Sequence, residues 1–422
     1  MTRFRCLPLA GLLILWAVRP AVTTAQGASQ SAVEVQSALD ALRIDNAWTL
    51  NQQAEICEIP APPFGEAARG EAVRQRFLAL GLRQVRVDAE GNVIGERPGT
   101  GPGPRIALTA HLDTVFPDST DVTVTRQGTR LSGPGIGDDC RGLAVILAVA
   151  KALNRTNVTT PGTIVFVATV GEEGPGNLRG VRHLFDKKSA GELAGFISVD
   201  GTGLGLTSRG IGSHRYRVTF QGPGGHSFGA FGMPNPIHAM GRAIAALSEV
   251  VVPVNPKTTF SVGIVEGGTS VNSIAMSSSM DIDFRSERQD ILDQLDARLR
   301  RIVAEAIAAE KARWPASPVN LEAVTVDIGR RPAAGQPDEA PIVQAAVSSA
   351  RRLGFTPAIA ASSTDANYPM SLGVPAVTID GGGAGRGAHS LSESYDDGPD
   401  GWKGPQWALL LTLQLAGLRP QP

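Results

Sequence analysis

The chain has 422 residues, 42% of them hydrophobic, and a formal net charge of −1. It is too long for one small core and too evenly charged for a nucleic-acid or other polyanion binder, and it carries no acidic block of the disordered-tail kind. Three cysteines are too few for a fold built on disulfides.

At the N-terminus, Arg3 and Arg5 precede the apolar stretch LPLAGLLILWAV, and small residues follow through Thr23, Thr24 and Ala25. That order predicts a signal peptide over residues 1–25, cleaved after Ala25, and an exported protein, periplasmic or extracellular. The stretch is shorter than the ~20 residues of a membrane-spanning helix, so no stable membrane anchor is expected once it is removed. Cys6 precedes the apolar stretch, which is not where a lipid-attachment cysteine lies. Of the two remaining cysteines, Cys140 is expected to pack as a small buried residue rather than to bridge Cys57.

The mature chain opens with one helical stretch, VEVQSALDALRIDNAWTLNQQAEICEI, which the prolines of IPAPPFGE end. From there to about Asp200 strand-like runs alternate with helical ones. RIALTAHL and TIVFVATV are short and flanked by glycine, and RGLAVILAVAKAL between them reads as a helix. This alternation predicts an α/β fold with a mixed, largely parallel sheet covered by helices.

After Arg209 the pattern changes. YRVTFQG, PIHAMGRAIAALSEV, TTFSVGIVEGG, SVNSIAMSSSMDIDFRS, DILDQLDARLRRIVAEAIAAEKA and VNLEAVTVDIG read in order as β-α-β-β-α-β. That is the split βαβ, ferredoxin-like arrangement, expected as an inserted α+β lid and dimerisation domain over 211–329. Helix–strand alternation resumes in APIVQAAVSSARRLGF and PAVTID, and GPQWALLLTLQLAGL supplies a last helix. Residues 26–210 and 330–422 are then expected to form one discontinuous catalytic domain.

Acids and imidazoles stand just past several of these runs: His111 and Asp113, Asp138 and Asp139, Glu172 and Glu173, Asp200, and His389. In an open α/β sheet, groups at the carboxyl ends of strands converge on one crevice. Two imidazoles with several carboxylates suggest a two-metal hydrolytic site. At a spacing of two, Asp113 projects to the side of His111 and can fix its tautomer. For Asp138 and Asp139 two readings stand, a helix N-cap or a carboxylate that bridges two cations. Adjacent glutamates after an apolar strand repel each other unless a cation or proton compensates, so one can ligate while the other moves a proton. In the glycine-rich GPGGHSFGAFG, His226 is placed to reach a substrate or to serve as a turn residue, whereas His183 and His214 read as surface or satisfied core residues and His238, in the lid helix, as structural.

Taken in order, HLD, GDDCRG, GEEG, VDG, GGHS, GGTSVNSIA, DFR and AHS make the chain resemble the di-zinc exopeptidases and amidohydrolases of the aminoacylase, glutamate carboxypeptidase and peptidase T family. The resemblance runs from IPAPPFGE to HSLSESY. It implies that Asp138 bridges two divalent metals, zinc with cobalt or manganese as substitutes. His111 and Asp200 would complete one metal, and Glu173 and His389 the other. Glu172 would be the general base, Asp113 the residue orienting His111, and His226 a catalytic group given to the partner subunit's site in a homodimer. Asn272 and Arg285 would contact substrate. Asp200 and SFGAFGMPNPIHAMGRA place the chain nearest the peptidase T-like branch. The resemblance thus implies a secreted exopeptidase for short peptides, aminopeptidase- or carboxypeptidase-like, with an N-acyl amino acid hydrolase as the alternative. A catalytically idle, metal-containing binding protein is the reading from another class.

Overall fold

The computed structural model describes Met1 and residues 23–418, with side chains from residue 32. The signal peptide expected over 1–25 lies outside the described residues except at Met1 and 23–25. No described helix is long and apolar enough to cross a membrane.

A nine-stranded mixed sheet organises the larger part of the chain. Its centre is Arg105–His111, paired in parallel with Thr163–Thr169 on one side and Gly195–Val199 on the other, with Ala376–Ile379 parallel beyond that. Each of these strands is buried on both faces, which is why they read as continuous apolar runs rather than as alternating ones. Side chains nonetheless part at a period of two. Leu108, Ala110, Phe166 and Ala168 join a core with the helices Cys140–Thr156, Pro341–Arg352 and Lys403–Leu415. Ala107, Val165, Val167 and Phe196 join another core with Arg179–Asp186. The edge hairpin Arg83–Val87 and Val93–Arg97, and the short strands Leu206–Gly210 and Ile359–Ser362, carry no comparable apolar run and were not anticipated.

The helix expected as one piece over VEVQSALDALRIDNAWTLNQQAEICEI is two, Thr23–Ile44 and Asn46–Cys57. Asp45 interrupts it, its carboxylate taken by Lys151 at 3.1 Å and Arg155 at 3.0 Å. Aspartate is a poor helix former, and these ion pairs to a neighbouring helix hold the break there. Cys57 and Cys140 are both free and buried.

Between Gly212 and Arg331 the chain leaves this sheet and builds a second one. Thr258–Gly267, Ser277–Ser286, Gly212–Gln221 and Glu322–Arg331 lie in that spatial order, all antiparallel. The helices Pro236–Ser248 and Gln289–Ala312 cover one face with a separate core that includes Tyr216, Phe220, Met280 and Leu299. This is the ferredoxin-like strand order. SVNSIAMSSSMDIDFRS, expected as one strand, divides at Ala275 and Met276. The short piece Ser273–Ile274 leaves the sheet to pair with Gly225–His226.

Candidate metal centre

Three parallel strands end side by side, and the chemistry gathers just beyond them. His111 closes its strand and is 1% exposed. Its Nδ1 lies 3.0 Å from the main-chain carbonyl of Asp113, which accepts only, so the ring proton resides there. Nε2 is left with a lone pair, 3.1 Å from Asp138 Oδ1 and 3.9 Å from Asp200 Oδ1. The Asp113 carboxylate stands farther off, 3.7 Å from Nδ1. Its two oxygens accept the main-chain N–H groups of Glu172 at 3.0 Å and Glu173 at 2.8 Å. Asp113 therefore fixes the glutamate turn with its side chain and meets the imidazole most closely through its carbonyl, a division that sequence spacing does not reveal.

The two acidic pairs resolve by direction. Asp139 is fully buried, accepts the Gly142 N–H at 3.0 Å as the N-cap of Cys140–Thr156, and accepts the His111 N–H at 2.9 Å. Gly142 lets that helix start against the sheet, since a Cβ there would lie 2.3 Å from the Val199 carbonyl oxygen. Asp138 turns into the crevice instead, Oδ1 toward His111 and Oδ2 3.1 Å from His389 Nε2. Glu173 Oε1 lies 2.9 Å from the same His389 nitrogen. Glu172 is held apart from them by Arg331, whose Nη1 donates to Oε1 at 2.9 Å and to Ser363 at 3.0 Å.

Two donor groups result, His111–Asp138–Asp200 and Asp138–Glu173–His389, each with its ligand atoms mutually within 4.8 Å. Asp138 belongs to both, as a carboxylate spanning two cations must. Nitrogen and carboxylate oxygen are the donors divalent metals take. Protonation equilibria carry the same demand. Desolvation raises Asp200 to about 8 despite His111, and it raises Glu172 despite Arg331. Asp138 and Glu173 hold His389 up at about 10. Asp200 and Glu172 are thus pressed toward neutrality, while the two imidazoles hold the shared Asp138 ionised, and bound cations would relieve the first pair. His389 also sits at φ 64°, in the left-handed region that non-glycine residues seldom occupy.

The cavity here measures about 540 Å³ and includes Glu172, Asp200, Arg285 and Arg331 in its lining. Arg285 pairs with Asp283 at 2.8 Å, and Arg215 reaches the same carboxylate at 3.0 Å. The fold does not bring His226 or Asn272 here. Both line a second cavity of about 690 Å³ in the inserted segment. His226 is exposed, and its Nδ1 accepts the N–H groups of Phe228 and Gly229 at 3.2 and 3.3 Å. The neutral ring therefore presents an Nε2–H outward, the tautomer a hydrogen-bond donor needs.

Three participants escape sequence reading. Arg331 comes from the end of the strand Glu322–Arg331, with no local motif around it. Asp365 is buried and accepts from Thr169 at 2.5 Å, at the end of the strand that leads to the glutamates. Glu393, four residues past His389, reads as ordinary loop polarity. It accepts the main-chain N–H groups of Gly135 at 3.0 Å, Gly137 at 2.7 Å and Asp138 at 3.1 Å, and so ties the His389 loop to the Asp138 loop. Glu393→Gln is expected to weaken metal affinity about 10-fold, because outer partners of ligands typically contribute that much. Unchanged affinity in a competitive chelator titration would contradict this.

Residues 107–403 match the model of peptidase family M20/M25/M40. The chain is 26% identical over 352 residues to carboxypeptidase G2 from Pseudomonas sp. (strain RS-16), covering 79% of this chain and 80% of that protein. It is also 26% identical over 262 residues to succinyl-diaminopimelate desuccinylase from Nitrosococcus oceani, covering 58% and 69%. In fold it is similar to aminopeptidase PepT from Bacillus cereus, with a TM-score of 0.70, 20% identity, and 87% and 98% of the two chains covered. A dinuclear metal binding peptidase from Bacillus subtilis gives a TM-score of 0.65 at 18% identity, covering 89% and 99%.

Proposed function

The chain belongs to peptidase family M20/M25/M40 and is a metal-dependent hydrolase, and from that premise we propose that it is an exported di-zinc exopeptidase that hydrolyses short peptides. The observation that carries the reading is the Asp138 carboxylate shared between two donor groups, with Glu172 beside them but in neither. In this reading His111 and Asp200 would hold one ion, Glu173 and His389 the other, and Asp138 would serve both. Zinc suits that set, and cobalt or manganese can replace it. Bound there, the two ions supply the positive charge that acidifies a water and polarises an amide carbonyl.

The chain's own groups do the rest. Glu172 takes the proton of the attacking water and returns it to the leaving amine. Desolvation raises its pKa against the pull of Arg331, which strengthens its hold on a proton. Arg285 holds a substrate carboxylate. His226 and Asn272, remote from the centre of their own chain, reach the centre of a second subunit, where the His226 Nε2–H stabilises the developing oxyanion. A homodimer through the inserted segment is then required. His226→Ala is expected to lower kcat about 100-fold with both metals retained. Mixing it with a Glu172 variant should restore activity if the histidine acts across subunits, and a fully active monomeric H226A would reject that role.

Export rests on Arg3, Arg5, the apolar stretch and the small residues up to Ala25. For the substrate, the likeness to carboxypeptidase G2 and to aminopeptidase PepT favours peptides. IAA-amino acid hydrolase ILR1-like 5 from Arabidopsis thaliana, 25% identical over 267 residues, favours N-acyl amino acids as the second reading. Kinetics on a tripeptide panel beside N-acetyl amino acids decides. Turnover of the acylated compounds alone rejects the peptidase.

A further inference from the structure

Besides Glu172, which Arg331 engages, one carboxylate of the main cavity belongs to neither donor group. Asp380 follows the strand Ala376–Ile379, in which Ile379 lies opposite Val199 of the neighbouring parallel strand. Asp380 and Asp200 therefore leave adjacent strand ends side by side, and both line the cavity. The loop 201–205 folds closely around Asp380. Its Oδ2 accepts the Gly205 N–H at 2.7 Å, and a Cβ on Gly203 or Gly205 would come within 2.9 Å of that oxygen. The two glycines leave the carboxylate room at that approach. Desolvation lifts Asp380 to about 6, offset by the Gly205 N–H alone, and no cationic side chain among the described residues contributes. A half-buried carboxylate that lines the cavity and has no counter-charge beside it is a place for a cationic group entering that cavity.

The same cavity holds three guanidinium groups. Arg331 is matched by Glu172, while Arg215 and Arg285 share Asp283 and so leave one positive charge over. A small molecule bearing a cationic end and an anionic end would satisfy both Asp380 and that arginine pair. An unblocked short peptide has both ends, and about 540 Å³ is ample for one.

We propose that Asp380 receives the ammonium group of a free peptide N-terminus, so that unblocked short peptides are the substrate class. The inference rests on the peptidase reading above. Acylating the amine would replace three charged donors by one neutral N–H and leave Asp380 uncompensated, which is how a polar site rejects an analogue.

The probes are Ala-Ala-Ala and its N-acetyl form. Each is titrated by calorimetry into zinc-loaded chain carrying Glu172→Gln, with and without Asp380→Asn. Asparagine keeps the oxygen that accepts from Gly205, so the loop is retained, and Tm and zinc content check this. The free peptide should bind about 10- to 100-fold more tightly than the acetylated one, the range of a charge-assisted hydrogen bond, and D380N should abolish the preference. Equal affinities without D380N, or a preference that survives it, overturns the proposal. Loss of zinc in D380N makes Asp380 a metal ligand and overturns it too. Turnover of Ala-Ala-Ala by the chain with Glu172 intact is followed separately. No hydrolysis together with Asp380-dependent binding would refute the peptidase reading and leave the ammonium site standing.

Discussion

Glu172→Gln is expected to lower kcat by about 10³-fold while the protein keeps both metals, a loss within the range of general acid–base catalysis. Gln preserves the size of the side chain and can still accept from Arg331, so the turn is not disturbed. The turn itself is held from below, because Asp113 binds the main-chain N–H groups of residues 172 and 173. What disappears is the capacity to take a proton, and no neighbour replaces it. Glu173 lies against His389, and Asp138 lies between the two imidazoles. Metal analysis beside single-turnover kinetics checks the result. A variant that retains metals and loses turnover assigns Glu172 as base; full activity would remove it from the mechanism. Wild-type protein that binds two metals and turns over no peptide or acyl amino acid would instead favour the idle binding protein.

Asp138→Ala should do more, because it removes the one carboxylate common to both donor groups. Loss of both metals is expected, with activity down by at least about 10³-fold, as each ion loses a charged ligand and the imidazoles lose the group that holds them together. Asp139→Ala is the control. That residue caps a helix and anchors the His111 backbone, so about 1–2 kcal/mol of stability should be lost, read as a lower Tm. An Asp138 variant that still binds two metals, or an Asp139 variant that loses them first, would reverse the assignment of the pair.

These two experiments bear on places where the sequence offered two adjacent acids and no means of ranking them by local chemistry. Resemblance chose Asp138 and Glu172, and the folded chain gives the choice a physical form. Asp139 points back into the start of a helix while Asp138 points into the crevice. Arg331 engages Glu172 but not Glu173. Neither direction is written in DD or EE, because each depends on partners far along the chain. Arg331 is 159 positions from Glu172, and Glu393 is 255 from Asp138.

The sequence by itself determined the fold class and the strands whose ends carry the chemistry. A buried parallel strand must be apolar along its whole length, so RIALTAH, TIVFVAT and GFISV announce themselves, and the polar residue at which each run stops marks the crevice. The inserted β-α-β-β-α-β segment was legible for a related reason. Its helices each cover one side of a sheet, and that leaves a periodic pattern in the chain. Tertiary structure alone decided the division of labour within the acidic pairs and the roles of Arg331, Glu393 and Asp380. It also set His226 and Asn272 apart from the centre of their own chain. Periodicity records which face of an element is buried against a core. It holds no record of which polar group from a distant segment will meet another, because that meeting is fixed only when the strand ends and loops are brought together.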